Sequence, residues 1–294
     1  MAGLQSLVAF AETAKHGSFA GAARELGLSP SAIAKSVARL EDDLGVRLFH
    51  RTTRKVALTS EGHELHRRCR VIVDEFEALR DEAAGARGAP SGTLRINVPV
   101  TYGKLVVLPK LAALLRRHPR ITLDVSFSDR YADIVSDGLD VAIRVGQLAD
   151  SSLVARRIGQ QRLAVVASPR YLRRHGEPSH PSELPSHACM VFRMPTTGRP
   201  RAWQFVDGRR RIEWTPEAPV VMNDGEGLVT AAAEGMGLTQ VPDYLTTAEV
   251  RAGRLRTVLE DFQPPPLPIS VVYPSARRVT PRLRALLDSL VDAA

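Results

Sequence analysis

The sequence predicts a small, mainly helical N-terminal domain, then a long helix, and then an α/β domain of two lobes. Three observations support this prediction. Residues 18–59 carry start and stop signals for two short helices followed by a basic hairpin. An apolar repeat runs through residues 65–83, and segments typical of strands and helices alternate after residue 93. At about 100–200 residues per domain, a chain of 294 residues is long enough for this division.

Residues 18–45 predict two helices separated by a tight turn. Ser18 is a suitable N-cap for the first helix, and Gly27 ends it by adopting the left-handed conformation. Ser29 caps the second helix, and Pro30 takes its first position, where a missing N–H costs nothing. The second helix has one apolar stripe, formed by Ile33, Val37, Leu40 and Leu44. Such a stripe is typical of a helix that packs on a small core.

A basic hairpin follows the second helix. Its cationic residues are Arg47, His50, Arg51, Arg54 and Lys55. The net charge of +8 does not by itself indicate DNA, because the first 90 residues hold 13 Lys and Arg against 12 Asp and Glu. The local cluster is the stronger signal, and it stands beside a helix face of small or basic residues: Ser31, Ala34, Lys35 and Ala38. We therefore predict a winged helix-turn-helix DNA-binding domain over residues 1–59; the alternative is a solvated charged loop.

Residues 60–90 are predicted to form a linker helix and a hinge. Apolar residues recur every 3.5 positions, at Leu65, Cys69, Ile72, Phe76, Leu79 and Ala83. This period is typical of a two-stranded coiled coil, so we expect the first five of these residues to form a dimer contact. The alternative is a single long helix packed on its own domain. Residues 85–92 are rich in Gly and Ala and predict a flexible boundary.

Residues 91–294 alternate between strand-like and helix-like segments. The predicted strands are Thr93–Val98, Ile121–Phe127, Leu139–Val145, Arg162–Ser168, Ala218–Met222, Leu238–Val241 and Ile269–Tyr273. The predicted helices are Leu105–Arg117, Tyr131–Asp137, Gly225–Glu234 and Pro281–Val291. This alternation indicates a largely parallel sheet covered by helices. Two such series with a late return strand predict lobe I at 91–161 and 268–294, and lobe II at 162–267, with a cleft between them.

The cleft is expected to bind a small anion. Residues 98–103 join a strand to a helix in lobe I, and residues 223–225 do so in lobe II. Helix N-termini present free N–H groups and the positive end of a dipole. Ligands of doubly wound sheets bind at the carboxyl ends of strands, where these two helix starts lie.

Several functions are excluded or disfavoured by what the sequence lacks. No run approaches the ~18 apolar residues of a membrane span, and residues 1–10 lack the features of a signal peptide. Two cysteines, Cys69 and Cys189, make no disulfide framework, so we expect a cytoplasmic protein. No nucleophile motif or paired carboxylates stand out, so we predict no enzyme, no catalytic residue and no cofactor. His63 and His66 lack further ligands, so no metal is predicted.

A fingerprint of fixed spacings covers the N-terminal region: Ser18-Phe19, Ala22-Ala23, Leu26, Leu28-Ser29, Leu40-Glu41, Leu44-Gly45, Leu48-Phe49, Arg51, Arg54, Leu58-Thr59 and Gly62. With it, the chain resembles LysR-type transcriptional regulators over essentially its whole length. The resemblance implies a winged-helix DNA reader, a dimerising linker helix and an effector domain similar to periplasmic solute-binding proteins. It also implies a homodimer that pairs into a tetramer, with RNA polymerase as a further partner to consider.

The resemblance implies two further sets of residues. DNA would be contacted by Ser29, Pro30, Ser31, Lys35, Arg39, Arg51, Thr52, Thr53 and Arg54. The effector would be contacted by Thr101, Tyr102, Ser128, Arg144, Gly146, Arg193, Asn223 and Pro242. Ser29-Pro30-Ser31 stands where the family commonly has Ser-Gln-Pro, and Ala34 replaces a common serine. Lys35 suits a guanine in the major groove, and Arg54 suits a narrow minor groove.

The expected function is that of a transcriptional regulator that reads an interrupted palindrome and responds to a small anionic effector, a carboxylate that Arg144 and Arg193 would suit. Two alternatives remain from the residues. One is a bilobed solute-binding protein or enzyme, and the other is a constitutive DNA-binding protein with a non-functional cleft. The basic hairpin and the missing signal peptide favour the regulator.

Overall fold

The computed structural model describes residues 3–51, 56–66, 68–69, 72, 89–130, 133–134, 137–148, 153–275 and 279–291. The chain divides at Ala89/Pro90 into two compact units. The N-terminal unit is mainly helical, and the C-terminal unit contains two five-stranded sheets. The predicted fold class is confirmed.

The described part of the N-terminal unit consists of four helical segments and a two-stranded hairpin. In chain order these are α1 (Leu4–His16), α2 (Phe19–Leu26), α3 (Pro30–Leu44), β1 (Phe49–Arg51), β2 (Val56–Leu58) and the start of a further helix, α4 (residues 60–66). The sequence predictions above omit α1, although Phe10 from its middle is completely buried. The two strands are antiparallel, with Phe49 opposite Leu58.

The caps of α2 and α3 form as predicted. The Ser18 hydroxyl accepts a hydrogen bond from the Gly21 N–H at 3.0 Å, and the Ser29 hydroxyl accepts one from the Ala32 N–H at 3.2 Å. Gly27 has φ of +64°, which lets the chain leave α2 and enter the turn. Local side-chain chemistry therefore sets both helix starts.

The predicted burial is wrong for one residue of the apolar stripe on α3. Ile33, Val37 and Leu40 are buried, whereas Leu44 is 47% exposed. Helix α3 ends at Leu44, and the chain then turns at Gly45, so Leu44 lies at the rim of the core. The buried residue of the last helical turn is instead Glu41.

The assignment of Cys69 to a dimer contact is also wrong, and that of Leu65 is weakened. Cys69 is completely buried in the hydrophobic core of its own unit, and Leu65 packs against the same core. Cys69 therefore has no surface left for a second chain. Ile72 is 47% exposed, while the predicted contacts Phe76 and Leu79 lie outside the described residues, as does Ala83 of the same repeat. The first positions of the apolar repeat serve the chain's own domain, which was the alternative interpretation.

The C-terminal unit contains twelve described strands. They are β3 (Gly92–Val98), β4 (Ile121–Phe127), β5 (Val141–Val145), β6 (Leu153–Gln161), β7 (Leu163–Ala167), β8 (Cys189–Phe192), β9 (Trp203–Asp207), β10 (Arg210–Trp214), β11 (Val220–Met222), β12 (Leu238–Pro242), β13 (Arg256–Val258) and β14 (Leu267–Pro274). Its helices are α5 (Val100–Tyr102), continued by a π-helical turn (Gly103–Val107) into α6 (Leu108–Arg117), then α7 (Pro169–His175), α8 (Gly225–Ala233), α9 (Asp243–Arg251) and α10 (Pro281–Val291), with short 3₁₀ turns at Pro181–Ser186 and Glu260–Phe262.

Each lobe is built on one sheet. Lobe I has the order β4-β3-β5-β14-β6, and lobe II has the order β11-β8-β12-β7-β13. Both sheets are mixed, so the prediction of a largely parallel sheet is wrong. In lobe I, β3 is parallel to β4 and β5, whereas β14 is antiparallel to β5 and β6. In lobe II, β8 is parallel to β11 and β12, whereas β7 is antiparallel to β12 and β13.

Several elements of this unit are missing from the sequence predictions: β6, β8, the β9–β10 hairpin, β13, α7 and α9. Strand β6 is mostly exposed and carries Arg and Gln, so it has no apolar alternation to mark it. The first helix begins at Val100, five residues before the predicted start. The predicted helix Tyr131–Asp137 falls largely outside the described residues, which show turns at Ile134 and Asp137.

Separate hydrophobic cores lie under the two sheets. The lobe I core joins strands β3, β5 and β14 to helices α6 and α10. In lobe II, one core lies beneath the β9–β10 hairpin and another beneath α8 and α9. Within the described part of the chain, no helix is long and apolar enough to cross a membrane.

Candidate functional site

The first candidate site is an exposed face of α3. Ser31, Lys35 and Arg39 are spaced four residues apart and are all exposed, so they share one side of the helix. Ser29 and Pro30 are exposed at its start, where the Ser29 and Ser31 hydroxyls lie 3.0 Å apart. All five predicted DNA contacts at this helix are therefore accessible, and three of them, Ser31, Lys35 and Arg39, form a row of hydroxyl and cationic groups.

The other predicted DNA contacts belong to the hairpin, which we call the wing (residues 49–58). Arg51 lies in β1 and pairs with Val56. Thr52, Thr53 and Arg54 lie outside the described residues, so their contacts remain predictions.

A buried carboxylate fixes the start of the wing against α3. Glu41 accepts hydrogen bonds from the backbone N–H groups of Leu48 and Phe49 at 2.9 and 3.3 Å. Its other oxygen accepts one from the Arg47 guanidinium at 3.1 Å. The Thr59 hydroxyl donates to the Arg47 carbonyl at 2.7 Å from the far side. The sequence fingerprint includes Glu41, but no role was predicted for it. The available signal was a carboxylate in the last turn of a helix with an apolar stripe.

The second candidate site is a cavity of about 460 Å³ between lobes I and II. Six of the eight predicted effector residues line it: Thr101, Tyr102, Ser128, Arg144, Asn223 and Pro242. Its apolar wall includes Ile143, Val145, Phe192, Val241, Leu245 and Leu267. A concave, mostly apolar site of this size with a few polar groups is typical of small-molecule binding.

Two predicted effector residues do not line the cavity. Gly146 lies just beyond β5, where its N–H donates to the Pro268 carbonyl at 2.9 Å. Arg193 is exposed, and its backbone pairs with Met222 and Pro200 as the chain leaves β8. Arg193 is therefore not among the residues that line the cavity, and its contact with an effector stays a prediction.

The two helix N-termini at the cavity are already occupied by carboxylates. Asp129 accepts a hydrogen bond from the Val100 N–H, the first of α5, at 3.0 Å. Asp224 accepts one from the Glu226 N–H of α8 at 3.0 Å. Each carboxylate takes one N–H of its helix start. That the remaining N–H groups of both helices hold an anion stays a prediction.

Two arginines reach the cavity, one from each lobe. Arg144 of β5 is buried and already engaged by an interaction within the protein. Arg201, which sequence reasoning missed, donates from Nη2 to the Gln240 carbonyl at 2.7 Å, and its Nε is buried without a hydrogen-bond partner. Burial lowers the pKa of the Arg201 guanidinium. No periodicity marks Arg201, because it lies in the loop between β8 and β9.

Three contacts join the lobes around the cavity. The Tyr244 hydroxyl donates to Gln161 Oε1 at 3.2 Å, and the Tyr244 ring meets the Tyr102 ring edge-on at 5.3 Å. Lys104 and Glu226 form an ion pair at 3.0 Å, which raises the pKa of Lys104. Burial raises the pKa of both tyrosines, so their hydroxyls are protonated donors at neutral pH.

The chemistry of the cavity is that of binding. Within the described residues, no three His, Cys, Asp or Glu side chains are grouped to hold a metal ion. Both cysteines are buried, which raises the pKa of the Cys69 thiol to about 11 and that of Cys189 to about 12. The thiolate is the reactive form, so neither is a reactive thiol at neutral pH.

An exposed recognition helix next to a wing, together with a bilobed domain around a ligand-sized cavity, defines a ligand-responsive DNA-binding regulator. Comparison with family models agrees. Residues 4–63 match the model of the bacterial regulatory helix-turn-helix protein of the lysR family, and residues 87–294 match the LysR substrate binding domain. The chain belongs to the LysR family of transcriptional regulators and is not an enzyme.

Relatives and solved structures cover nearly the whole chain. An HTH-type transcriptional regulator of Xanthomonas campestris pv. campestris is 35% identical over 98% of this chain and 84% of its own length. The structure of CrgA, a LysR-type regulator from Neisseria meningitidis, is 32% identical, with a TM-score of 0.63 over 98% of this chain and 97% of CrgA. The full-length virulence activator AphB of Vibrio cholerae is 27% identical, with a TM-score of 0.62 over 99% of each chain.

Proposed function

We propose that this regulator reads an interrupted palindrome with α3 and the wing, and that a small anionic effector in the cavity controls it. The proposal rests on one main observation: six predicted effector residues line one cavity. The other unit of the same chain exposes the hydroxyl and cationic groups that are predicted to bind DNA. Because its ligand is DNA, we expect it to act in the cytoplasm. RNA polymerase is a further proposed partner.

DNA recognition is assigned to the exposed face of α3. Lys35 stands at the centre of this face, between Ser31 and Arg39. A lysine in the major groove donates to guanine O6 and N7, whereas contacts to phosphate position the protein without reading sequence. Glu41 supports the proposal because its three hydrogen bonds set the angle between α3 and the wing.

The test is selection of binding sites from a random oligonucleotide pool by the full-length protein. Lys35→Ala should relax the preference at one base position of each half-site and weaken binding by about 1–3 kcal/mol. Lys15→Ala is the matched control, because Lys15 is an exposed lysine of the same unit that lies on α1 and pairs with Glu12. An unchanged base preference in Lys35→Ala would remove Lys35 from the recognition face.

Effector binding is assigned to the cavity near Thr101, where the first helix of lobe I begins. An effector shifts the regulator only through its different affinities for two arrangements of the protein, so binding and response need separate measurements. Ligands found by screening the full-length protein should lose affinity in Thr101→Val and lose their effect on DNA binding. Equal affinities for both proteins by calorimetry would move the site away from this helix start. If no ligand changes DNA binding, the alternative of a constitutive DNA-binding protein would hold.

We propose a homodimer, paired further into a tetramer, that uses the part of the linker helix beyond Cys69. Ile72 supports this proposal because it is exposed in the single chain while Cys69 is fully buried. A two-fold protein reads two-fold DNA, which explains the expected palindrome. Ile72→Asp combined with Phe76→Asp should give a monomer by sedimentation. A double variant that stays dimeric would place the contact elsewhere.

A further inference from the structure

Arg201 is the one cation among the described residues of the cavity whose buried Nε has no hydrogen-bond partner. We infer that Arg201 binds the carboxylate of an effector with a single negative charge and an apolar body. This inference rests on the proposed effector site and names the residue and the ligand class within it. The sequence analysis named Arg144 and Arg193 for this role. Arg144 lines the cavity but already has an interaction within the protein, and Arg193 does not line the cavity.

The chain folds back on itself to place Arg201. After β8, the Met194 carbonyl accepts a hydrogen bond from the Gly198 N–H at 2.8 Å, and the chain reverses. The Arg201 N–H then donates to the Phe192 carbonyl at 2.7 Å, and the guanidinium carbon lies 5.6 Å from the centre of the Phe192 ring. Arg201 is thus held beside the last residue of β8, at the carboxyl edge of the lobe II sheet.

Gln240, whose side chain is held by hydrogen bonds, anchors one end of the Arg201 guanidinium. Gln240 of β12 is buried, and its side chain exchanges two hydrogen bonds with the backbone of Gln204, at 2.9 and 2.8 Å. Its carbonyl accepts the bond from Arg201 Nη2. The carbonyl is neutral, so it orients the guanidinium and leaves the positive charge uncompensated.

The charge of Arg201 has no acidic partner among the residues that the structure describes. None of the described ion pairs includes it, and its buried Nε makes no hydrogen bond. A buried guanidinium costs free energy unless it is paired, and an arginine favours a two-point contact with a carboxylate. The pairing group is therefore expected from outside the chain.

The carboxylates of the cavity are used elsewhere, so they do not supply that partner. Asp129 and Asp224 accept the first hydrogen bonds of α5 and α8. Glu226, beside the cavity, pairs with Lys104. Arg144 already has an interaction within the protein. None of these carboxylates forms an ion pair with Arg201 within the part of the chain that the structure describes, and one ligand carboxylate is enough to pair with its guanidinium.

The remaining wall selects an apolar ligand body. Phe192 lies under Arg201, and the side chains of Val241, Leu245 and Ile143 form the surface around it. Tyr102 and Tyr244 add two rings with protonated hydroxyls. A cavity of about 460 Å³ accepts a small aromatic or branched aliphatic acid.

The test compares carboxylic acids with their uncharged amides on the full-length protein. The probes are benzoate, phenylacetate and hexanoate, each paired with its carboxamide, and the measurement is the ligand-induced shift in melting temperature followed by calorimetry. The carboxylates should bind the wild type more tightly than the amides. Arg201→Gln should lose this preference, with a fall in carboxylate affinity of about tenfold to a hundredfold, as for a charge-assisted hydrogen bond.

Arg199→Gln is the matched control, because Arg199 is an exposed arginine of the same loop that does not line the cavity. It should keep the preference of the wild type. Arg201→Lys keeps the charge without the two-point geometry, so it should prefer carboxylates but bind them more weakly than the wild type. If Arg201→Gln does not fold, an undiminished carboxylate affinity in Arg201→Lys overturns the inference.

The inference fails if no carboxylate binds the wild type more tightly than its amide, or if Arg201→Gln keeps the preference. Its failure is distinguishable from that of the effector site. Amides and carboxylates that bind equally, and that both lose affinity in Thr101→Val, would leave the cavity as the effector site and remove Arg201 from recognition.

Discussion

The two lobes share a strand pattern and differ in what they bring to the cavity. In each sheet two parallel pairs stand beside two antiparallel pairs. Lobe I caps its helix with Asp129, a residue from the loop after β4, and offers an arginine that is already engaged. Lobe II caps its helix with Asp224, the adjacent residue, and adds an insertion, residues 193–214, that carries the unpaired Arg201.

The two lobes place their residues at the cavity in the same way but differ in the charged groups that they offer to a ligand. The shared topology brings a helix start and a strand end from each lobe to the same cavity. The charge available to a ligand depends on a loop that has no counterpart among the described strands of lobe I. The lobes therefore give the cavity the same kind of support but different ligand-binding groups, which four sets of substitutions can test.

The largest effect is expected where the lobe II insertion enters the core. Trp203 is 1% exposed and packs against Phe205 and Trp214 of the β9–β10 hairpin. Trp203→Ala should lower the free energy of unfolding by about 3–5 kcal/mol, measured by urea denaturation. A loss below about 1 kcal/mol would mean that the hairpin is an appendage and that only the shared sheet supports lobe II.

The two helix starts should respond unequally to an added methyl group. A Cβ at Gly103 would lie 2.4 Å from Val98 Cγ2 and 2.9 Å from the Phe127 ring, whereas one at Gly225 would meet only Leu245 Cδ1 at 3.0 Å. Gly103→Ala should destabilise the protein by about 1–3 kcal/mol through overpacking. Gly225→Ala should cost less, because the end of one leucine can move. Equal losses by thermal denaturation would contradict this difference between the lobes.

The two arginines of the cavity should change stability in opposite directions. Arg144→Met removes an engaged, buried group and should destabilise the unliganded protein by about 1–3 kcal/mol. Arg201→Met removes a buried charge without an acidic partner, so it should raise the melting temperature slightly. Calorimetry of both variants without ligand checks the prediction. A lower melting temperature for Arg201→Met would show that the guanidinium supports the fold.

The smallest effect concerns the acid sensitivity of lobe II. Burial and the nearby His175 lower the pKa of His187, which lies 3.3 Å from the Tyr171 hydroxyl. As the pH falls, His187 is protonated at a higher pH in the unfolded chain than in the folded one. The contribution of neutral His187 to the free energy of unfolding is therefore complete above a pH of about 6.5 and is lost as the pH falls further. His187→Gln should reduce the fall in melting temperature between pH 7.5 and 5.5. His118→Gln, in lobe I, is the control and should leave it unchanged.

The sequence by itself determined what depends on neighbouring residues. Ser18 and Ser29 set the starts of α2 and α3 through hydrogen bonds to residues three positions further on, and Gly27 ends α2. The final helix, Pro281–Val291, has the predicted bounds. The recognition face of α3 follows from helical spacing alone. These features are local, so no distant contact was needed to predict them.

Only the tertiary structure decided what depends on residues far apart in the chain. Strand β14 lies antiparallel between β5 and β6, so the sheets are mixed although the local pattern is βαβ. Cys69 has the spacing of a dimer contact, yet the nearest apolar surface is the core of its own unit. Asp129 reaches Val100 across 29 residues, and Arg201 reaches Gln240 across 39. Such contacts arise when strands pair and loops fold back, and a single sequence carries no periodic signal for either.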